Sequence, residues 1–486
     1  MKRYLSWFLI FLAVFLMAAP AVAQHNKHIV GYYPNWQWYD RNQLINPEAL
    51  YYEKYTVINY AFFRPLVDGS IESTDSWADE NLLLGPMIWW PVQTHDSTRS
   101  LPYLAHQAGV KVLPSIGGWT CSEYFPTISA SPTKRQTFVT HCINLIQTYH
   151  FDGIDLDWEY PGYAPQGGTP ADKENFTFLL QELRTALDAL GSQTGQDFLL
   201  TSCFGVSTDK MDNIEWENVL PLLDMVNLMT YDFHGSWDAK SNHHTPLFSP
   251  QIGDPLWCFD GAFTLLTETY NVPAEKINLG IAFYGKALAG CTQLYGSHTG
   301  YDGLTFWEDE GQPLYYNIHK RLDMFSYYWD DQVKCPYLLG NYINTFVTFD
   351  NTLSVGYKAQ YVKDHNAGGI IIWEITGDYL ETFAGSGIIQ GTPLLDTIHE
   401  VFNAPVSAPS LAHPSAISVF PNPASQQLFI TAPSAPTEIL IYNLSGSEIK
   451  APFRDNVLDI SNLKNGMYLL EVYDGSQRYR TKFVKK

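Results

Sequence analysis

The chain has 486 residues, of which 45% are apolar, 15% aromatic and 16% charged, which is material for a large core and excludes a disordered chain or a small disulfide scaffold. Fifty acidic residues against 29 basic ones leave a net charge of −21, a field that repels phosphate backbones and excludes nucleic acid as a partner. Fourteen Trp and 31 Tyr at this low charge density point to a neutral ligand with flat apolar faces, a carbohydrate or an aromatic, although most such rings belong to ordinary cores.

The N-terminus carries Lys2 and Arg3, an apolar stretch over 5–17 and then Ala21-Val22-Ala23, the plan of a secretory signal peptide (1–23) cleaved after Ala23. The stretch is short for a bilayer span of about 20 residues, so no stable membrane span is expected. Export permits disulfides among Cys121, Cys142, Cys203, Cys258, Cys291 and Cys335, but six cysteines allow about 15 full pairings and sequence selects none. Cys203 lies in an apolar strand-like run and reads equally as a buried thiol.

Over 28–402, eight apolar β-type runs alternate with helix-compatible stretches: 29–32, 56–63, 111–116, 153–158, 198–202, 225–229, 277–281 and 369–373. Near-continuous hydrophobic strands between helices predict an α/β fold with a covered parallel sheet, and eight of them fit a (β/α)8 TIM barrel; a doubly wound open sheet is the alternative. The seventh and eighth runs are separated by far more chain than a crossover needs, which predicts an inserted subdomain at about 286–350.

The densest polar cluster in any of these runs is Asp152-Gly-Ile-Asp155-Leu-Asp157-Trp-Glu159-Tyr160-Pro. A side-chain period of two puts Asp155, Asp157 and Glu159 on one side and Ile154, Leu156 and Trp158 on the other. Three carboxyls about 7 Å apart in a low-dielectric place repel, so at least one holds a proton near neutral pH. Glu159, nearest the rim, is the natural proton donor, with Asp157 behind it to bind developing charge. Asp152 is out of phase and pins the turn. An acidic metal site is the competing reading, but one strand offers its oxygens along a line and no second acidic cluster completes a shell, so neither metal nor cofactor is expected.

Residues 403–415, rich in Pro, Ser and Ala, read as a linker. Beyond it, β-type runs at 428–431, 439–442, 467–473 and 479–484 with Asn-Pro, Ser-Gly, Asn-Gly and Asp-Gly turns predict a small β-sandwich over 416–486. It ends on Arg478, Arg480, Lys482, Lys485 and Lys486. The pattern Val419-Phe-Pro-Asn-Pro423, Leu463-Lys-Asn-Gly-Met-Tyr-Leu469 and a basic end resembles the C-terminal sorting domain of the type IX secretion system. That resemblance implies a partner in the secretion machinery and a secreted or cell-surface destination; a carbohydrate-binding module is the alternative.

The acidic run followed by Tyr-Pro-Gly resembles the signature of glycoside hydrolase family 18 chitinases. Ser115-Ile-Gly117-Gly118-Trp119, Met229-Thr-Tyr231-Asp232-Phe-His-Gly-Ser-Trp237, Tyr284-Gly285 and Gly368-Gly-Ile-Ile-Ile-Trp373 resemble further family motifs in the same order. The resemblance implies an α+β insertion domain where one is predicted and hydrolysis of β-1,4 links between N-acetylglucosamine units with retention. The nucleophile would be the substrate's own acetamido oxygen. It also implies roles. Glu159 is the general acid/base, Asp157 orients the acetamido group and stabilises positive charge, and Asp155 shares a proton with Asp157. Tyr231 holds the acetamido carbonyl, Asp232 contacts the sugar, and Trp373 is the floor under the ring. Trp119, Trp237, Tyr160 and Tyr284 match positions at the cleft. Lys286 stands where many relatives have Arg, so a two-pronged sugar contact is not expected there. Gly117 and Gly118 read as close-packing positions, Trp36, Trp38, Trp89, Trp90 and Trp307 as core or rim, and His234, His243 and His244 receive no role. Alternatives are an endo-β-N-acetylglucosaminidase acting on glycans and a non-catalytic chitin-binding lectin.

Overall fold

The eight apolar runs form parallel strands β1 (His28–Pro34), β2 (Val57–Pro65), β3 (Lys111–Gly117), β4 (Gly153–Asp157), β5 (Leu199–Phe204), β6 (Met225–Leu228), β7 (Ile277–Ala282) and β8 (Gly369–Trp373). This is a computed structural model; it describes residues 27–404 and, within 418–486, all but 432–435, 437, 444–447, 455–456 and 474–477. The signal-peptide reading, residues 405–415 of the linker and residues 416–417 at the start of the expected β-sandwich fall outside the described residues, and Asn403, read as the first linker residue, ends a helix (Pro393–Asn403).

Each strand pairs in parallel with the next, and β8 pairs in turn with β1. That last pairing separates a closed barrel from an open sheet, which would leave β1 and β8 with free edges. The doubly wound alternative is therefore excluded. Burial on both faces explains why the strands read as apolar runs rather than alternating ones. The helix Asp172–Thr194 shows how the outer ring attaches. Phe176, Leu179, Leu180, Leu183, Leu187 and Leu190 recur at helical spacing and are buried, Asp172 and Glu174 place negative charge in the first turn, and Gly195 at φ +74° terminates it.

The chain between β7 and β8 forms an α+β insertion. Its four-stranded antiparallel sheet runs in the order Lys286–Ala289, Thr345–Thr348, Cys335–Gly340, Phe325–Asp330, with a short helix at Tyr315–His319. All six cysteines are buried and free, the reading made for Cys203.

The C-terminal unit is built from two four-stranded antiparallel sheets. Leu428, Ile430, Ile441, Leu458, Leu470, Val472 and Phe483 form its core. Ser418–Phe420, Glu448–Ile449, Phe453–Arg454 and Val457–Asp459 were not expected from sequence; strands of two or three residues are too short to show alternation.

Candidate active site

β4 places its acids as the period-two pattern requires. Ile154 and Leu156 face the helices with Trp158, whose ring stacks on Phe125 at 5.3 Å, while Asp155 and Asp157 are buried on the opposite side. Glu159 lies two residues past the end of the strand, so its position is set by the turn that follows. Gly118 N–H donates to the Asp157 carbonyl at 2.7 Å, and Ser122 Oγ donates to the Gly118 carbonyl and accepts from Glu159 N–H at 2.9 Å. The two glycines make this approach possible: both have positive φ, and a Cβ on Gly117 would lie 2.1 Å from the Asp157 carbonyl oxygen. Asp152 pins the other end of β4, accepting from Val112 N–H at 2.7 Å and lying 2.8 Å from His106 Nε2.

The three acids sit in unequal environments. Asp155 accepts from Tyr32 OH (2.8 Å), Ser115 Oγ (2.9 Å), Asn227 Nδ2 (3.3 Å) and Thr201 Oγ1. Burial raises its pKa and these four donors pull it back. Donors on both oxygens are the opposite of what a cation needs, and among the described residues no group of acids, His or Cys is arranged to hold a metal. Asp157 has a buried Oδ1 without a hydrogen-bond partner; burial, then the Glu159 and Asp155 charges, hold its carboxyl well above the usual range. Burial pushes Glu159 up to about 7, against the Tyr160 hydroxyl that hydrogen-bonds it and the Lys210 ammonium, both of which favour its charged form. A chain of carboxyls results in which the outer two have hydrogen-bond partners and the middle one is pushed toward its neutral form by burial and by both neighbours.

Across the rim, Asp232 follows β6 with φ +56°, in the left-handed region. Its Oδ1 accepts from Tyr284 OH at 2.6 Å, lies 2.8 Å from Lys286 Nζ and 3.7 Å from His244 Nδ1. Burial alone would raise this carboxyl, but Lys286 and His244 hold it well below the usual range. Lys286 is buried, is bound by Gln312 Oε1 of the insertion, and lies 5.1 Å from the Trp237 ring centre and 5.3 Å from that of Tyr284. The lysine therefore works inside the rim as the counter-ion of Asp232 and ties the insertion to it. Tyr231 stands beside Tyr284, edge to face at 6.2 Å.

The floor is aromatic. Trp373 packs against Phe62 at 5.5 Å in a stacked arrangement, Tyr32 at 5.7 Å and Trp36 at 6.3 Å. Trp119 and Trp237 keep 53% and 59% of their surface exposed, Trp119 beside Tyr160 at 6.4 Å. Of the rings read as core or rim, only Trp38 is core; Trp36, Trp89, Trp90 and Trp307 are exposed. Trp89 lies 6.5 Å from Trp77, itself exposed, on the chain after β2. Sequence reasoning missed Tyr32, Ser122, Thr201, Lys210, Asn227, His244 and Gln312. Tyr32, Thr201 and Asn227 are polar positions inside the apolar strands β1, β5 and β6, while Ser122, Lys210, His244 and Gln312 lie outside the barrel strands, where nothing local distinguishes them. His243 and His234 pair instead with Asp330 and Asp238, away from the acids.

A closed (β/α)8 barrel that gathers carboxyls, tyrosines and exposed tryptophans at the C-terminal ends of its strands has the layout of a glycoside hydrolase. Comparison with protein families agrees: residues 28–378 match Glycosyl hydrolases family 18 and residues 418–486 match Secretion system C-terminal sorting domain. The chain belongs to glycosyl hydrolases family 18. It is 30% identical to Chitinase A1 of Niallia circulans over 449 residues, 83% of this chain and 64% of that protein. It is also 30% identical to Chitinase 1 of Aphanocladium album over 351 residues, 71% of this chain and 80% of that one. Among solved structures, chitinase ChiA74 from Bacillus thuringiensis superposes with a TM-score of 0.69 at 27% identity, covering 95% of this chain and 85% of its own. The chain thus spans somewhat less than two thirds of Chitinase A1.

Proposed function

We propose that the protein is an exported chitinase that hydrolyses the β-1,4 links of N-acetylglucosamine polymers with retention, using the substrate's acetamido oxygen as nucleophile. The observation that carries this reading is the carboxyl chain: Asp155 saturated with donors, Asp157 with an unpartnered buried oxygen, and Glu159 at about 7 on the rim. Glu159 protonates the glycosidic oxygen and later takes a proton from water. Asp157 accepts the acetamido N–H and stabilises the positive ring that forms when the acetamido oxygen closes on the anomeric carbon. Asp155 takes up the proton that Asp157 gives away. Tyr231 donates to the acetamido carbonyl and Asp232 contacts the sugar, while Trp373 supports the ring from below and Trp119 and Trp237 offer exposed faces to neighbouring units. The C-terminal unit is the export signal, acting with the leader at 1–23.

The attacking group is on the substrate, which gives the direct test. Chitin hexamer should be cleaved, and the fully deacetylated hexamer should be inert because it lacks the nucleophile. Ready cleavage of the deacetylated oligomer overturns the reading, and preference for a high-mannose glycopeptide over chitin hexamer replaces it by the glycan-cleaving alternative.

The proton on Glu159 fixes the pH dependence. An acid with a pKa of about 7 loses its proton above that value, so kcat/KM should fall on the alkaline side of about pH 7. Lys210 favours the charged form, so Lys210→Met should move this limb to higher pH, read from full pH profiles of both proteins. A limb that moves down or stays fixed contradicts the assignment.

A further inference from the structure

Asp232 has a left-handed backbone without being a glycine, a conformation that persists only where its surroundings impose it. One neighbouring segment holds both flanks of its turn. Before Tyr231 and Asp232, the Thr230 carbonyl accepts from Thr245 Oγ1 at 3.1 Å; after them, Phe233 N–H donates to the His244 carbonyl at 3.0 Å. Thr230 is fixed further by its own hydroxyl, which donates to the Gly280 carbonyl of β7 at 2.8 Å. Residues 244 and 245 therefore set where Tyr231 and Asp232 stand.

Those two residues are in turn held from the junction of insertion and barrel. Lys358 lies on the helix Thr352–Asp364 that leads to β8, its side chain is wholly buried, and its ammonium has three hydrogens to place. It donates to the Thr245 carbonyl at 2.6 Å, to Thr245 Oγ1 at 2.7 Å and to Asp350 Oδ2 at 2.6 Å, so all three are used. The Asp350 carboxyl, equally buried just beyond the insertion strand Thr345–Thr348, accepts from Ser354 Oγ at 2.6 Å through its other oxygen. His244 N–H donates to Thr348 Oγ1 of that strand at 3.2 Å.

A buried ion pair is a poor way to gain stability, because apolar side chains of the same volume avoid desolvating two charges. What apolar packing cannot do is direct a hydroxyl. Thr245 has one hydroxyl hydrogen to give. With Lys358 donating to its oxygen, that hydrogen goes to an acceptor, and the Thr230 carbonyl at 3.1 Å lies nearer than Asp350 Oδ2 at 3.5 Å. The ammonium thus fixes the direction of the bond that holds the turn. We propose that Lys358 is a positioning residue for the reaction: acting through Thr245, it holds Tyr231 and Asp232 in the geometry that the acetamido group and the sugar meet. The proposal rests on the chitinase reading and deepens it, since Lys358 touches no substrate and works only through the groups assigned to it.

The test uses the full chain and chitin hexamer, each protein assayed below its melting transition. Thr245→Val keeps the volume and both charges but removes the hydroxyl, and Thr245→Ser keeps the hydroxyl. Lys358→Met combined with Asp350→Asn removes both charges together, so neither is left buried alone. Thr245→Val and the double variant should lower kcat about 10- to 100-fold with KM within about threefold, the mark of misaligned rather than missing groups. Thr245→Ser should restore kcat to within about twofold of wild type. Thr245→Val decides even where the double variant fails to fold. Wild-type turnover in Thr245→Val, equal losses in the Val and Ser variants, or a loss carried by KM alone overturns the positioning role while leaving the chitinase reading intact. A wild-type enzyme that leaves chitin hexamer uncleaved overturns both.

Discussion

Glu159→Gln should lower turnover of chitin hexamer by about 10²–10⁴-fold while keeping oligosaccharide affinity within a few-fold. Gln fills the same volume and keeps a polar end toward the Tyr160 hydroxyl, but it has no proton to give to a leaving oxygen. Asp157, Tyr231 and Trp373 are untouched, so the proposed floor and acetamido partners of the sugar remain in place. The variant also has a stability signature. Glu159 rises from an ordinary 4.5 to about 7 in the folded state, so between these values the native chain binds more protons than the unfolded one. Stability then declines as pH rises through this window, because unfolding releases a carboxylate that the fold holds at a cost. Gln has no such ionisation, so the variant should melt at or above the wild-type temperature at pH 8, with the advantage gone at pH 4. Turnover near wild type, measured with labelled hexamer, removes Glu159 from the acid/base role. A variant that melts lower at pH 8 than at pH 4 relative to wild type shows that burial is not what raises it.

The barrel and its acids were legible in the sequence because both depend on short-range pattern. A parallel strand covered on both faces must be apolar throughout, so Asp155 and Asp157 inside such a run stand out, and the period of two assigns their side without any tertiary knowledge. The same phase argument separates Asp152, which the fold uses to pin Val112 and His106. What stayed hidden depends on distant chain segments meeting. Lys286 looks like a conservative loss of an arginine until the insertion delivers Gln312 to it and β6 delivers Asp232. Ser122 is one serine among many until the Gly117–Gly118 turn brings it to the amide of Glu159. Tryptophan content predicts a ligand with flat faces but not which rings face outward: Trp38 and Trp36 lie two residues apart, one in the core and one at the floor of the cleft.

Asp157→Asn is the second substitution expected to cost orders of magnitude, and its signature differs from that of Glu159→Gln. The Asp157 carboxyl is held well above its ordinary range by burial and by an acid on each side. Burial and two neighbouring acids favour its neutral form, and it gains charge when a neighbour takes its proton. In the proposed reaction that moment is the closure of the acetamido oxygen onto the anomeric carbon, when positive charge spreads over the new ring and the proton of Asp157 passes to Asp155. Asn can accept or donate a hydrogen bond but cannot acquire the charge, so it fails the transition state more than the bound substrate. The expected result is a fall of about 10²–10³-fold in kcat with KM changed only a few-fold, the split that marks an interaction made late on the reaction path. A second readout comes from the pH profile. In the wild type, Asp157 and Glu159 feel each other's charge, so their ionisations should interact; Asn removes that partner, and the alkaline limb should simplify toward that of Glu159 alone. A KM rise at constant kcat makes Asp157 a binding residue alone, and an unaltered limb shows that the coupling lies elsewhere.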